Sequence, residues 1–238
     1  MISSNCCPVE FEIVTYVSQG FAKALEFSLP SWEANAGASR ILVYSDFPIQ
    51  ENVGIQENRY FFLERSDDPK ISWRRKITSL TNAYARCSTP FFCWLDADVY
   101  CRASFMEVFG RMGTADIGAT RMFNRSIRGY GAINAGVLFF QKLQTLSGFF
   151  TEWAELTDKL KGEKWAEQTA ASRLIHEAYH GLRPYYATPL SENLYNLEDD
   201  SNSTWLKRIE QYKPKLIHFK GGRWQREKEK AACAALFP

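Results

Sequence analysis

Two carboxylates one residue apart, Asp96-Ala97-Asp98, follow directly on the apolar run Phe91-Phe92-Cys93-Trp94-Leu95. With a small residue between them, both can approach a single ion where a strand breaks into a turn. Carboxylate oxygens are hard ligands, suited to Mg²⁺ or Mn²⁺ alongside substrate phosphates. The competing reading is a capped turn, a common use of Asp. His176 and His180 lie one helical turn apart, a spacing compatible with metal binding. No third ligand is evident near them in sequence, so they read as structural.

The elements around the aspartates separate the two readings. Phe11 to Val17 is rich in β-branched and aromatic residues and predicts a strand. A helix follows from about Phe21, with Leu25, Leu29, Trp32 and Ala36 on one side, a kink expected at Pro30 and a cap at Gly37. Ile41 to Tyr44 and Tyr60 to Leu63 read as two further strands. Ser72 suits the N-cap of a helix whose stripe is Trp73, Ile77, Leu80 and Tyr84. Phe91 to Leu95 has the continuous apolar character of a strand covered on both faces. Strand, helix, strand in this order predicts an α/β fold with a mainly parallel sheet. Such sheets bind ligands beyond the carboxyl ends of their strands, where Asp96 and Asp98 fall.

The second half predicts strands at Asp116 to Thr120 and Ala135 to Phe140, flanking a loop rich in Arg and Gly from Arg121 to Gly131. Helices are expected over Ser147 to Leu160 and Trp165 to His180, and a short strand over Leu216 to Phe219. The tail from Arg223 to Leu236 reads as helical.

Composition narrows the function classes. The chain has 238 residues, 45% hydrophobic and 24% charged, which is the profile of a globular protein rather than a disordered one. Size scaling buries roughly 29,000 of about 40,000 Å² of unfolded surface, so disulfide staples are not needed. The net charge is +2, which gives no electrostatic case for nucleic acid or an anionic membrane. None of the six cysteines stands in a C-x-x-C pair. The residues before Val9 carry no apolar leader, and the longest apolar run, Val137 to Phe140, is far too short to span a membrane. A reduced, cytoplasmic protein with no integral membrane segment is expected.

Four segments in order carry a family resemblance. Phe92-Cys93-Trp94-Leu95-Asp96-Ala97-Asp98-Val99 is similar to an apolar strand with a D-x-D motif, and Ile133-Asn134-Ala135-Gly136-Val137-Leu138 to an N-[SA]-G-V-L segment. Glu167-Gln168 matches an acidic-Gln pair at the start of a later helix, and Leu216-Ile217-His218-Phe219-Lys220-Gly221 a terminal strand with a metal-binding His. In these the chain resembles the nucleotide-sugar glycosyltransferases of the GT-A fold, most closely the family 8 type (the glycogenin and lipopolysaccharide galactosyltransferase group). It departs from that family in Glu167, where Asp is usual, and in Gly222-Arg223-Trp224, where Lys-Pro-Trp follows the Gly.

The resemblance implies a single GT-A domain over residues 1–238, with a Rossmann-like, mostly parallel sheet flanked by helices. Its nucleotide-binding half would cover about 9–100, its acceptor half about 101–224, and a helical tail 225–238. Asp96, Asp98 and His218 would bind the metal, with Asp96 also near the donor's ribose. An imidazole ligand favours Mn²⁺, with Mg²⁺ the alternative. Lys76 would reach the donor sugar, with Arg74 and Arg75 as competitors for that role. Asn134 would bond sugar hydroxyls, and Gln168 and Glu167 would face the donor sugar. Thr15, Tyr16 and Val17 would cradle uracil and ribose, while Ala97, Ala135 and Gly136 belong to the matched donor segments. Lys220, Gly221 and Arg223 could meet the diphosphate, and Arg125 and Arg128 an anionic acceptor.

The function implied is metal-dependent transfer, with retention, of a sugar from a UDP-sugar to an acceptor hydroxyl. The acceptor would be a glycan, a lipid-linked sugar or a protein. The alternatives are a noncatalytic nucleotide-sugar or glycan-binding module, and a sugar-1-phosphate nucleotidyltransferase. The latter normally carries a Gly-rich, basic segment after the first strand, where this chain reads Val17-Ser18-Gln19-Gly20-Phe21.

Overall fold

The structure is a computed structural model that describes residues 9–48, 60–62, 69–127, 130–163, 165–198 and 205–219. Its first half runs β1 (Phe11–Val17), α1 (Ala22–Asn35), β2 (Arg40–Ser45), β3 (Tyr60–Phe62), α2 (Pro69–Arg86), β4 (Phe91–Leu95) and β5 (Val99–Cys101). There follow α3 (Glu107–Met112), the long strands β6 (Ile117–Ile127) and β7 (Tyr130–Gln141), α4 (Leu146–Lys159) and α5 (Ala166–Tyr179). The last described elements are β8 (Ala187–Leu190), α6 (Glu192–Tyr195), β9 (Leu197–Glu198), α7 (Trp205–Tyr212) and β10 (Leu216–His218).

Seven strands form one sheet in the order β3-β2-β1-β4-β7-β6-β8, so strands of both halves of the chain share it. The pairs β3–β2, β2–β1, β1–β4 and β6–β8 are parallel, while β7 is antiparallel to both β4 and β6. A second, three-stranded sheet has the order β5-β10-β9. The mostly parallel α/β sheet expected from the sequence is therefore present, with one antiparallel insertion. Parallel pairing needs crossovers, and α1 and α2 supply them on opposite faces.

Side chains of β4 show why its sequence is apolar throughout. Cys93 and Leu95 join a core with α1 and α3, whereas Phe92 and Trp94 join a core with α2, α4 and α5. Alternation with period two thus feeds both faces, and neither meets water. Across the strands below it, Glu12 is wholly buried and accepts from Arg40 Nε and Nη2 at 3.0 and 2.8 Å. Its other oxygen accepts from the Ser88 backbone N–H at 2.8 Å, tying β1, β2 and the entry to β4 together.

Local signals hold with two corrections. Pro30 lies inside α1, and Gly37, at φ 75°, takes the left-handed position just past its C-cap Ala36. Ser72 is not an N-cap: α2 begins at Pro69, whose fixed φ suits the first helical turn. The expected Arg/Gly loop, Arg121 to Gly131, is mostly strand. β6 continues to Ile127 and β7 starts at Tyr130, pairing Arg121 with Ile133 and Ser126 with Gly131. Cross-strand hydrogen bonding between neighbours in a hairpin overrides weak local propensity there. The tail after Phe219 and the loop residue Arg128 lie outside the described residues. No described helix is long and apolar enough to cross a membrane.

Candidate active site

β4 ends at Leu95 and the chain turns. The Asp96 N–H donates to the Gly136 carbonyl at 2.8 Å, and the Val99 N–H to the Asp96 carbonyl at 3.0 Å. Asp96 and Asp98 therefore sit at the carboxyl edge of the sheet. From Val99 the chain enters β5, whose antiparallel partner β10 pairs His218 with Val99. This pairing carries His218 across 120 residues of sequence to the two aspartates. Its Nε2 lies 3.2 Å from Asp98 Oδ1 and 3.9 Å from Asp96 Oδ2. One ligand atom from each of the three residues falls within 4.8 Å of the others, and Asp98 and His218 are buried.

The imidazole is held from behind by residues of the second half. His218 Nδ1 lies 3.2 Å from Asn196 Oδ1, while the Asn196 amide donates to Thr120 Oγ1 at 2.9 Å. With Asn196 oriented by that second bond, its Oδ1 is placed to accept from Nδ1–H, the tautomer in which the Nε2 lone pair would face the aspartates and a bound metal ion. Asn134 Nδ2 stands 3.4 Å from the same ring nitrogen, and Asn134 Oδ1 accepts from the Gly136 N–H at 2.9 Å. Gly136 itself leaves room. A Cβ there would stand 2.3 Å from His218 Cε1 and 2.8 Å from Asp96 Oδ2.

A cationic group closes the other side. Lys76, on α2, places Nζ 3.1 Å from Asp96 Oδ1 and 3.6 Å from Glu167 Oε1, and donates to the Ala135 carbonyl at 3.0 Å. It also lies 5.3 Å from the centroid of the Trp94 ring, whose indole N–H donates to Asp96 Oδ1 at 2.7 Å. Glu167 is fixed in the first turn of α5, its carbonyl accepting from the Trp153 indole at 2.9 Å.

These neighbours set the charge balance. Burial would push the Asp96 carboxyl up, but Lys76 first and His218 next bring it below the usual range. Burial, reinforced by Asp96, raises Glu167 despite Lys76. The Lys76 ammonium would lose its proton more easily on burial alone, yet Asp96 and Glu167 hold it charged above the usual lysine range. Glu167 Oε1 is buried and accepts no hydrogen bond from any described residue.

The other expected residues divide. Tyr16, Ser18, Phe21, Lys76, Ala97 and both aspartates line a cavity of about 300 Å³ with Trp94. Tyr16 is positioned by Arg75, which donates to its hydroxyl at 2.5 Å and pairs closely with Asp46. Arg74 instead pairs with Asp158 on the surface, so of the three adjacent cations Lys76 reaches the aspartates. Thr15 is buried, its hydroxyl without a hydrogen-bond partner among the described residues, and Val17 and Ala135 contribute their side chains to the core. Gln168 is half-buried beside Glu167 on α5. Lys220, Gly221 and Arg223 lie outside the described residues, and of Arg125 only its place on β6 is described.

Two residues of this arrangement were not expected. Trp94 precedes Asp96 by two positions, and period-two alternation could have placed them on one side. Asn196 carries no local signal, because only tertiary contact brings it to His218.

The chain shares its fold with known structures from which its sequence differs widely. No family model and no curated protein matches the sequence. The chain is similar in structure to a glycosyltransferase involved in glycosylation of the major capsid of PBCV-1, at TM-score 0.58 and 13% identity, over 94% of this chain and 99% of that one. It is similar also to the galactosyltransferase LgtC in complex with donor and acceptor sugar analogues, at TM-score 0.59 and 13% identity, over 94% and 95%. The α/β architecture of this chain is thus the GT-A fold of glycosyltransferases.

Proposed function

We propose that this chain is a metal-dependent glycosyltransferase that moves a sugar, with retention, from a UDP-sugar to an acceptor hydroxyl. The convergence of Asp96, Asp98 and His218 beside Lys76, at the carboxyl edge of the sheet, is the observation that carries this reading. Two carboxylates and one imidazole form a donor set that fits Mn²⁺ better than Mg²⁺. A Cβ at Gly136 would collide with His218 and Asp96, so the glycine is what lets both side chains pack against β7 at this site.

When bound, the divalent ion would supply Lewis-acid stabilisation of the diphosphate leaving group. Asp96, Asp98 and His218 would hold it. Asn196 and Asn134 orient the imidazole so that no rotation is needed on binding. Lys76 adds a fixed positive charge close to where negative charge develops on the departing phosphate. Tyr16 offers an aromatic face to the base, with Arg75 fixing its hydroxyl. Glu167 and Gln168, in the first turn of α5, face the donor sugar and stabilise the cationic character that it gains. Asn134 is buried with its amide turned to His218 and Gly136, so it acts through the imidazole rather than on sugar hydroxyls; Lys220 and Arg223, outside the described residues, would add charge toward the diphosphate.

Calorimetric titration with UDP, with and without Mn²⁺, tests this reading. Wild-type protein binds UDP in a Mn²⁺-dependent manner, and Asp98→Asn and His218→Ala lose that binding. A panel of UDP-sugars then yields hydrolysis and transfer. UDP binding that ignores the ion and both substitutions would remove the metal assignment, and no binding would remove the donor.

A further inference from the structure

Trp94 lies on β4 two residues before Asp96, on the face that packs toward α2, α4 and α5. Phe92, on the same face, fills that core with hydrocarbon alone. Trp94 is also buried, yet it carries a polar N–H and lines the cavity beside both aspartates. Its indole N–H donates to Asp96 Oδ1 at 2.7 Å. Lys76 Nζ reaches that same oxygen at 3.1 Å while standing 5.3 Å from the centroid of the Trp94 ring. One side chain therefore touches both the first aspartate and its counter-charge.

This contact makes the two oxygens of Asp96 unequal. Oδ1 accepts a charge-assisted hydrogen bond from the indole and faces the ammonium of Lys76, so its lone pairs are engaged. Oδ2 is turned the other way, 3.9 Å from His218 Nε2, and is the oxygen that a Cβ at Gly136 would approach to 2.8 Å. The terminal torsion of an aspartate is broad, so a carboxylate without such an anchor exchanges its two oxygens by rotation.

Resting on the metal-dependent reading above, we infer that Trp94 is a positioning residue for the donor site. Its indole N–H holds Asp96 Oδ1 and leaves Oδ2, on the His218 side, to ligate the ion. Its ring meanwhile supports the Lys76 ammonium by cation–π attraction. Trp94 acts through Asp96, as the outer partners of metal ligands do.

Trp94→Phe keeps an aromatic ring in the core and removes the N–H. Manganese affinity of the full chain, read by electron paramagnetic resonance without nucleotide, is expected to fall about tenfold or more. UDP binding by calorimetry weakens at low Mn²⁺ and returns to the wild-type value once Mn²⁺ saturates the variant. A core damaged by the substitution would not be repaired by the ion. Unchanged Mn²⁺ affinity, or UDP binding that saturating Mn²⁺ leaves weak, overturns the positioning role. The contact is also read with Trp94 intact, so the test stands if Trp94→Phe fails to fold. The assigned indole N–H resonance of Trp94 is expected to move upfield in Asp96→Asn, which weakens the acceptor, and an unmoved resonance overturns the role as well. A wild-type protein that binds no Mn²⁺ overturns the metal reading and, with it, this inference. Binding of Mn²⁺ without UDP overturns only the donor, since the Mn²⁺ comparison still decides the role of Trp94.

Discussion

Gly136 backs directly onto His218: a Cβ atom there would stand 2.3 Å from the imidazole Cε1. No rotamer change of a methyl group can relieve so short an approach, so the ring or the β7 backbone must move. Gly136→Ala is therefore expected to displace His218 from the aspartates and lower Mn²⁺ affinity about 10- to 100-fold. Manganese titration followed by electron paramagnetic resonance reads this directly. Unchanged affinity would show that the imidazole is not a ligand.

Lys76 stands between Asp96 and Glu167 and is their shared counter-charge. Lys76→Met keeps much of the side chain's volume and removes that charge. Donor turnover is expected to fall about 10²-fold or more, the scale of losing one electrostatic group at a reacting centre. The three side chains retain partial contact with solvent, so thermal stability should fall by only a few degrees. Rates of UDP-sugar hydrolysis beside a melting curve separate the two effects.

Asn196 Oδ1 stands 3.2 Å from His218 Nδ1 and favours the tautomer with its proton on that nitrogen. Asn196→Ala should leave the ring free to carry its proton on either nitrogen and weaken Mn²⁺ binding about tenfold. Nitrogen-15 shifts of the His218 ring distinguish this from general loosening of the fold. A ring that stays in one tautomer in the variant would refute the orienting role.

Glu12 gives acid sensitivity far from the site. Burial opposes its charge, but the Ser88 N–H and the Arg40 guanidinium prevail and hold its carboxyl below the usual range. Because the folded pKa is depressed, its contribution is complete above the unfolded value of about 4.3 and fades as pH falls through the lower, folded value. Glu12→Gln should cost on the order of 1–2 kcal/mol at pH 7, where Arg40 is partly exposed and screened. Urea unfolding at stepped pH should show wild type and variant converging below about pH 4. A gap that does not narrow on acidification would place the contribution elsewhere.

Much of the site could be read from the chain because strand ends and short motifs are local. The run Phe91 to Leu95 forms β4 at the expected residues, since an uninterrupted apolar segment has few alternatives to a doubly covered strand. That run also fixes where Asp96 and Asp98 emerge. By sequence the Arg121 to Gly131 segment reads as a loop, because its polar residues conceal pairing that only its partner strand supplies. For Lys76, the family resemblance favours it over its two neighbouring cations, but only the packing of α2 separates the three. Helical rotation sends Arg74 to Asp158, Arg75 to Asp46 and Lys76 to Asp96.

By itself the sequence determined the α/β class, the carboxylate pair and, through family resemblance, the candidate His218. The tertiary structure decided how those groups meet. The β5–β10 pairing brings His218 to Asp98, Asn196 orients the ring, and α2 and α5 deliver Lys76 and Glu167 to Asp96. Periodicity along a chain reports which face a residue takes, whereas contacts between distant segments depend on how the faces pack.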